Sequence, residues 1–182
     1  PWSEYDPDKA RKLLNDAGYV VAKIDDKWMA IDPATKLPLK VTILARGTGE
    51  SSEKMAAAIK RAGEKCGIKL VGKLTYFADF LRMQSEGTGQ VYNAGWVLDY
   101  PDVHNVLELL YGPQAKEYGL NSTKYCDEAY DKLFEEMALL NEANLQEREK
   151  KASLIQEMAE VLEEDCPIVP LYWSQTYLLR HQ

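Results

Sequence analysis

Apolar and polar positions follow two rhythms along the chain, a helical period near 3.6 and a strand period of 2. The first helical stretch opens at Asp6-Pro7, a good N-cap followed by proline at the first helical position. Ala10, Leu13, Leu14 and Ala17 form its apolar face, and Gly18 is placed to end it. Val20–Leu37 is irregular and predicts a β-hairpin. Asp25-Asp26-Lys27-Trp28 turns into a short strand, Trp28–Ile31, and Asp32-Pro33-Ala34-Thr35 makes a further turn. Leu39–Ala45 alternates and is β-branched, which predicts a strand. A helix capped by Ser51 follows, with Met55, Ile59, Ala62 and Cys66 on its buried face and Gly67 as its stop. The next strand is Ile68–Leu74. This β-α-β unit should cross over right-handed and pair its strands in parallel.

Thr75–Gln84 reads as a helix with Phe77, Phe80 and Leu81 inward, and Gln90–Val97 reads as a strand. A helix is predicted after Pro101, with Asp102 as N-cap and Val106, Leu107 and Leu110 as its apolar face, ended by Gly112-Pro113. Two more helices are expected, Tyr125–Leu140 and Asn144–Glu164, the second opening with Asn144 and Glu147 at capping-box spacing. In the first of them Tyr130, Leu133, Phe134 and Met137 face inward. Asp165-Cys166-Pro167 breaks the second, and strands Ile168–Trp173 and Thr176–Leu179 close the chain. Strands alternating with helices predict an α/β fold, a mostly parallel sheet flanked by helices.

One stretch stands out, Ala94-Gly95-Trp96-Val97-Leu98-Asp99-Tyr100-Pro101-Asp102. It reads as a buried strand that stops at a turn and delivers an indole and a carboxylate at its C-terminal edge. In open α/β sheets ligands bind outside the carboxyl ends of the strands. Trp96 and Asp99 together suit a ligand with an apolar body and a positive end.

Composition narrows the chemistry. The chain has 182 residues and a net charge of −7, which argues against nucleic acid as a partner. No apolar run reaches the length of a membrane span. The sequence opens on Pro1-Trp2-Ser3 without a methionine or a recognisable secretory leader, and it is read as an internal fragment. Cys66, Cys126 and Cys166 lack metal-like spacing and are expected to be buried reduced thiols.

Asp25, Asp26 and Asp32 do not follow the spacing of a calcium loop. Asp99, Asp102 and His104 do not make a zinc geometry, so no metal or cofactor is assigned. Gly47-Thr48-Gly49 between a strand and a helix lacks the third glycine and the closing acid of a dinucleotide fingerprint. With no Gly-x-Ser-x-Gly, no paired acids held across a cleft and no Cys–His pair, nothing argues for an enzyme.

Four stretches, in order, resemble the extracellular solute-binding proteins of peptide-type ABC importers, the dipeptide- and oligopeptide-binding family (bacterial extracellular solute-binding family 5). They are Tyr5-Asp6-Pro7-Asp8-Lys9-Ala10 with Leu13-Leu14 and Ala17-Gly18-Tyr19; Gly67-Ile68-Lys69-Leu70; Gly95-Trp96-Val97-Leu98-Asp99-Tyr100-Pro101-Asp102; and Glu147-Arg148 with Glu164-Asp165-Cys166-Pro167-Ile168-Val169-Pro170-Leu171-Tyr172. The resemblance spans nearly the whole chain. Val103 departs from it, since the family usually has proline there.

The resemblance implies a periplasmic-binding-protein-like type II lobe. Residues 1–182 would form a single C-terminal (domain III-like) lobe of a larger, two-lobed receptor that closes on its ligand. The receptor would capture dipeptides or oligopeptides and deliver them to ABC permease subunits. It would act as a monomer outside the cytoplasmic membrane, periplasmic or extracellular, with a lipid anchor as one arrangement. Trp96, Asp99 and Tyr100 are the ligand-binding candidates it implies, with Asp99 pairing with the peptide's α-ammonium and Trp96 beside the peptide.

The alternative of the same type is a receptor for oligosaccharides or another small solute, with Trp96 stacked on a pyranose. An enzyme domain of doubly wound type and a sensor domain fused to a signalling protein are the alternatives of other classes.

Overall fold

The computed structural model describes residues 4–47, 49–141 and 143–172. The first helix, α1 (Pro7–Asp16), begins where the sequence places it. The Asp6 carboxylate accepts the Lys9 N–H at 2.9 Å, and Gly18 follows the helix with φ +92°. Strands β1 (Val20–Ile24) and β2 (Lys27–Ile31) pair antiparallel. Asp25 and Asp26 both take positive φ, the backbone a two-residue hairpin turn of matching twist requires. The expected hairpin is present, with its second strand starting at Lys27, one residue before the predicted Trp28. The Arg11 guanidinium of α1 lies over the Trp28 ring at 4.3 Å, fastening helix to hairpin.

A three-stranded parallel sheet carries the next elements: β3 (Lys40–Arg46), β4 (Lys69–Thr75) and β5 (Val91–Asn93), in the order β4-β3-β5. Helix α2 (Glu50–Cys66) connects β3 to β4, and α3 (Phe77–Ser85) connects β4 to β5. The chain leaves β3 toward one side and returns to its other side. Right-handed crossovers in opposite directions put the two helices on opposite faces of the sheet.

The packing agrees. Gly72 of β4 sits under Ala56 of α2, where an added Cβ would lie 3.1 Å from the Ala56 methyl. On the other face Phe80 of α3 meets Tyr92 edge to face at 6.3 Å. Ile43, Gly72 and Val91 are in register on the α2 face, and Leu44, Lys73 and Tyr92 on the α3 face. Gly63 has a similar reason: a Cβ there would come within 2.4 Å of the Leu70 side chain.

Several boundaries differ from the sequence expectation. Gly49, not Ser51, caps α2, and Ser52 turns its hydroxyl back to the Arg46 carbonyl at 3.4 Å. Thr75 stays in β4 because it pairs with Arg46, so α3 starts at Phe77. Only Phe80 of the three expected inward residues of α3 is buried; Phe77 and Leu81 are exposed. The strand expected over Gln90–Val97 shrinks to Val91–Asn93. Among the described residues it pairs with Ile43–Ala45 alone, and from Ala94 onward none of them extends the ladder.

The second half is helical. Helix α4 (His104–Leu107) runs into a 3₁₀ turn, Glu108–Leu110, and another 3₁₀ turn covers Gly112–Gln114. Two antiparallel helices follow, α5 (Glu128–Ala138) and α6 (Leu145–Asp165). Helix α5 begins three residues later than expected, because the Asp127 carboxylate caps it through the Tyr130 N–H. Asn144 caps α6 through the Gln146 N–H. Glu147 reaches the Asn141 N–H at 2.6 Å rather than the N-cap's own N–H, so the capping box is shifted upstream.

Leu107, Leu110, Tyr130, Phe134, Met137, Leu154, Met158 and Leu162 form the main buried cluster. Cys166 ends α6 in the left-handed region at φ +49°. Residues 168–172 form no strand; Trp173 and the expected strand Thr176–Leu179 lie outside the described residues. Among the described residues, no helix is long and apolar enough to cross a membrane. Cys66 is half-buried, and Cys126 and Cys166 are exposed, against the expectation of three buried thiols; all are free.

Candidate functional site

The parallel strands all end at one edge of the sheet. β3 ends at Arg46, and Gly47 turns away at φ +99° with its N–H held by the Thr75 carbonyl at 3.0 Å. β4 ends at Thr75, which puts Tyr76 and Phe77 at the same edge, 73% and 55% exposed. The Arg46 guanidinium lies 5.7 Å from the Phe77 ring centre. On the other side of β3, β5 ends at Asn93 and releases the loop that carries Trp96 and Asp99. The carboxyl ends of β3 and β5 lie side by side here, and in open α/β sheets ligands bind outside the carboxyl ends of the strands.

The loop from Ala94 to Val103 has no regular structure. It is not the buried strand that its apolar residues suggest. Trp96, Val97, Leu98 and Tyr100 are all exposed, Val97 by 87%. What holds the loop is Asn105, at the start of α4 and only 4% exposed. Its Oδ1 accepts the Trp96 indole N–H at 2.9 Å and the Asp99 backbone N–H at 3.1 Å.

Asp102 fastens the other end. Its carboxylate accepts the His104 N–H at 2.8 Å, close to the cap expected of it, and the Lys151 ammonium of α6 at 2.9 and 3.1 Å. The Tyr100 hydroxyl and His104 Nδ1 share a hydrogen bond of 2.8 Å, and the His104 ring packs on Phe134 at 4.9 Å.

The structure therefore brings Trp96, Asp99 and Tyr100 onto one loop but orients them differently. Trp96 is anchored at its N–H and keeps much of its ring exposed. The Asp99 carboxylate is exposed and makes no hydrogen bond or ion pair with the described residues. Tyr100 spends its hydroxyl on His104. A depression of about 260 Å³ lies beside Pro101–Val103 and is lined by Arg148, Lys151 and Ile155 of α6. None of the three candidates lines it, so the open sheet edge, and not this hollow, carries the candidate chemistry.

Arg46, Tyr76 and Phe77 escaped sequence reasoning because strand order alone puts them at this edge. Asn105 had one available signal, a short polar residue in the apolar run of α4.

Such an edge can hold a flat or apolar group against Trp96 and a cation on Asp99. The Tyr111 pKa is pushed up to about 12, first by its hydrogen bond to Glu135 and then by burial. Burial also raises the Cys66 thiol. Among the described residues, no cluster of three His, Cys, Asp or Glu could hold a metal ion.

Known proteins resemble this chain in sequence and fold. The chain is 28% identical over 173 residues to a di/tripeptide-binding protein of Pseudomonas aeruginosa, covering 95% of this chain and 29% of that protein. It is 29% identical over 172 residues to a heme-binding protein of Haemophilus influenzae, covering 93% and 28% respectively. The solved structure of an ABC transporter-associated periplasmic binding protein from Helicobacter pylori, in complex with the peptide STSA, superimposes with a TM-score of 0.74 at 26% identity. That match covers 92% of this chain and 29% of the other. The fold is thus the type II lobe of a periplasmic binding protein. The chain spans less than a third of the length of these relatives. Residues 1–118 match the family model for bacterial extracellular solute-binding proteins, family 5, middle region, and the chain belongs to that family.

Proposed function

We propose that residues 1–182 form one lobe of a two-lobed receptor that captures short peptides for an ABC importer, and that the lobe's task is binding, not catalysis. The observation that carries this reading is the carboxyl edge of the sheet: an anchored, exposed indole at Trp96 beside an exposed carboxylate at Asp99 that no described residue neutralises. A free peptide N-terminus supplies the missing cation. Once the second lobe closes, water leaves the cleft and a charge-assisted hydrogen bond there is stronger than at an open surface. The peptide main chain would run past the carboxyl ends of β3 and β5, with Trp96 and the Tyr76–Phe77 pair as apolar walls.

The names of the relatives support peptides as the ligand class, with di/tripeptide- and oligopeptide-binding proteins among them. Under this reading the receptor works as a monomer outside the cytoplasmic membrane, lipid-anchored or free, and hands its ligand to permease subunits. Tyr100 contributes its ring rather than its hydroxyl, which His104 already holds.

The test is calorimetric titration of the complete receptor with di- to pentapeptides and their N-acetylated forms. The reading expects free peptides to bind at least about tenfold more tightly, the scale of one lost charge-assisted contact. Equal affinity for free and blocked peptides would overturn the Asp99 role.

A further inference from the structure

Asn105 differs from the exposed residues of the sheet edge. It is buried, it lies outside the exposed edge, and a single oxygen of its side chain receives two donors from the loop that forms the edge. The donors are of different kinds. One is the indole N–H of Trp96, nine residues upstream; the other is the backbone N–H of Asp99, six residues upstream. The loop between them has no ladder or helix to hold it, so this one acceptor fixes both the ring plane of Trp96 and the backbone from which the Asp99 carboxylate projects. Asn105 is itself held, because its own N–H donates to the Asp102 carbonyl at 3.2 Å and Asp102 is tied to Lys151 of α6.

We propose that Asn105 is the positioning residue of the ligand site, setting Trp96 and Asp99 relative to each other. The proposal rests on the peptide-receptor reading for what the site holds, and on the geometry alone for how it is held. It has a consequence for specificity. Both donors are already satisfied, so neither the Trp96 N–H nor the Asp99 N–H is available to a ligand. A peptide end carrying a carboxylate would find no donor in these two groups, whereas an ammonium finds the Asp99 carboxylate. The same side chain that orders the loop thereby gives it its polarity.

The test uses the complete receptor and three variants. Asn105→Leu keeps the branched shape but has no acceptor, and leaves two donors unpaired. Asn105→Asp keeps an acceptor oxygen in place. Trp96→Phe removes the first donor. Hydrogen exchange at the Asp99 amide, read by NMR without ligand, should accelerate at least about tenfold in Asn105→Leu and stay near wild type in Asn105→Asp.

With trialanine as the added peptide, Asn105→Leu should weaken binding about tenfold or more. The losses from Asn105→Leu and Trp96→Phe should not add, because the two side chains act through one bond. Thermal melts confirm that each variant is folded. An Asp99 exchange rate in Asn105→Leu within twofold of wild type would overturn the proposal, as would an Asn105→Asp variant as impaired as Asn105→Leu. Equal wild-type affinity for trialanine and N-acetyl-trialanine would instead refute the ligand reading, and the exchange measurement would still decide the role of Asn105.

Discussion

Tyr130→Phe isolates one interaction on which the site's support depends. Tyr130 of α5 is fully buried, and its hydroxyl donates to the Leu107 carbonyl, at the end of α4, over 2.8 Å. That bond ties α5 to the short helix that begins at His104 and carries Asn105. Phenylalanine keeps the ring, including its edge-to-face contact with Tyr125 at 5.9 Å, and creates no large cavity. The loss is then one buried hydrogen bond to a backbone carbonyl, about 1–2 kcal/mol. For a unit of this size the melting temperature should fall by roughly 2–8 °C.

The assay is thermal and urea unfolding of the complete receptor, with hydrogen exchange over residues 104–111 and 128–138 to localise the effect. Tyr111→Phe is the control. Its hydroxyl binds Glu135 at 2.7 Å in an exposed position, where a hydrogen bond exchanged with water is worth less, and its effect should stay under about 0.5 kcal/mol. Equal effects of the two substitutions, or no measurable effect of Tyr130→Phe, would refute the reasoning that this buried tie is what couples α4 to the helical core.

Gly63→Ala should destabilise by about 1–3 kcal/mol despite alanine's better helix propensity, because the added methyl collides with Leu70; a more stable variant in urea denaturation would show that α2 can lift away without cost. Alkaline pH should destabilise the fold. The proton affinities of Tyr125 and Tyr130 are raised, first by burial, and that of Tyr111 is raised to about 12, first by Glu135, so the unfolded chain releases these protons before the folded one does. Their contribution is complete below about pH 10 and is lost as pH rises toward 12, so unfolding midpoints should fall through that window; midpoints that stayed level across it would contradict the assignment. Lys151→Met should remove the ammonium that pairs with the Asp102 carboxylate and cost about 1–3 kcal/mol, seen as a lower urea midpoint with faster exchange in residues 99–104; an unchanged midpoint would mean that the loop is held without this pair.

The regular elements were legible where local chemistry decides them. Asp6-Pro7, Gly18 and Gly67 mark helix ends because capping and left-handed backbone are properties of single residues and their neighbours. The parallel pairing of β3 and β4 followed from a β-α-β connection, which has one favoured hand. Position relative to the core was harder. Ala94–Leu98 has the apolarity of a buried strand, yet it is exposed, since apolar residue types alone do not distinguish an exposed patch from an interior. Phe77 and Leu81 misled for the same reason.

Trp96 and Asp99 could be picked out because they stand close together before a turn. Arg46, Tyr76 and Phe77 could not, since their adjacency depends on the order β4-β3-β5, a long-range fact. Asn105 was hidden because its partners lie six and nine residues away in a loop without a period.

The claim that Asp99 receives a peptide ammonium is tested most directly by Asp99→Asn in the complete receptor, titrated with trialanine and with N-acetyl-trialanine. The substitution keeps size and removes the charge. The account predicts at least about a tenfold loss of affinity for the free peptide and little change for the acetylated one. An equal loss for both peptides, or none for either, would contradict it.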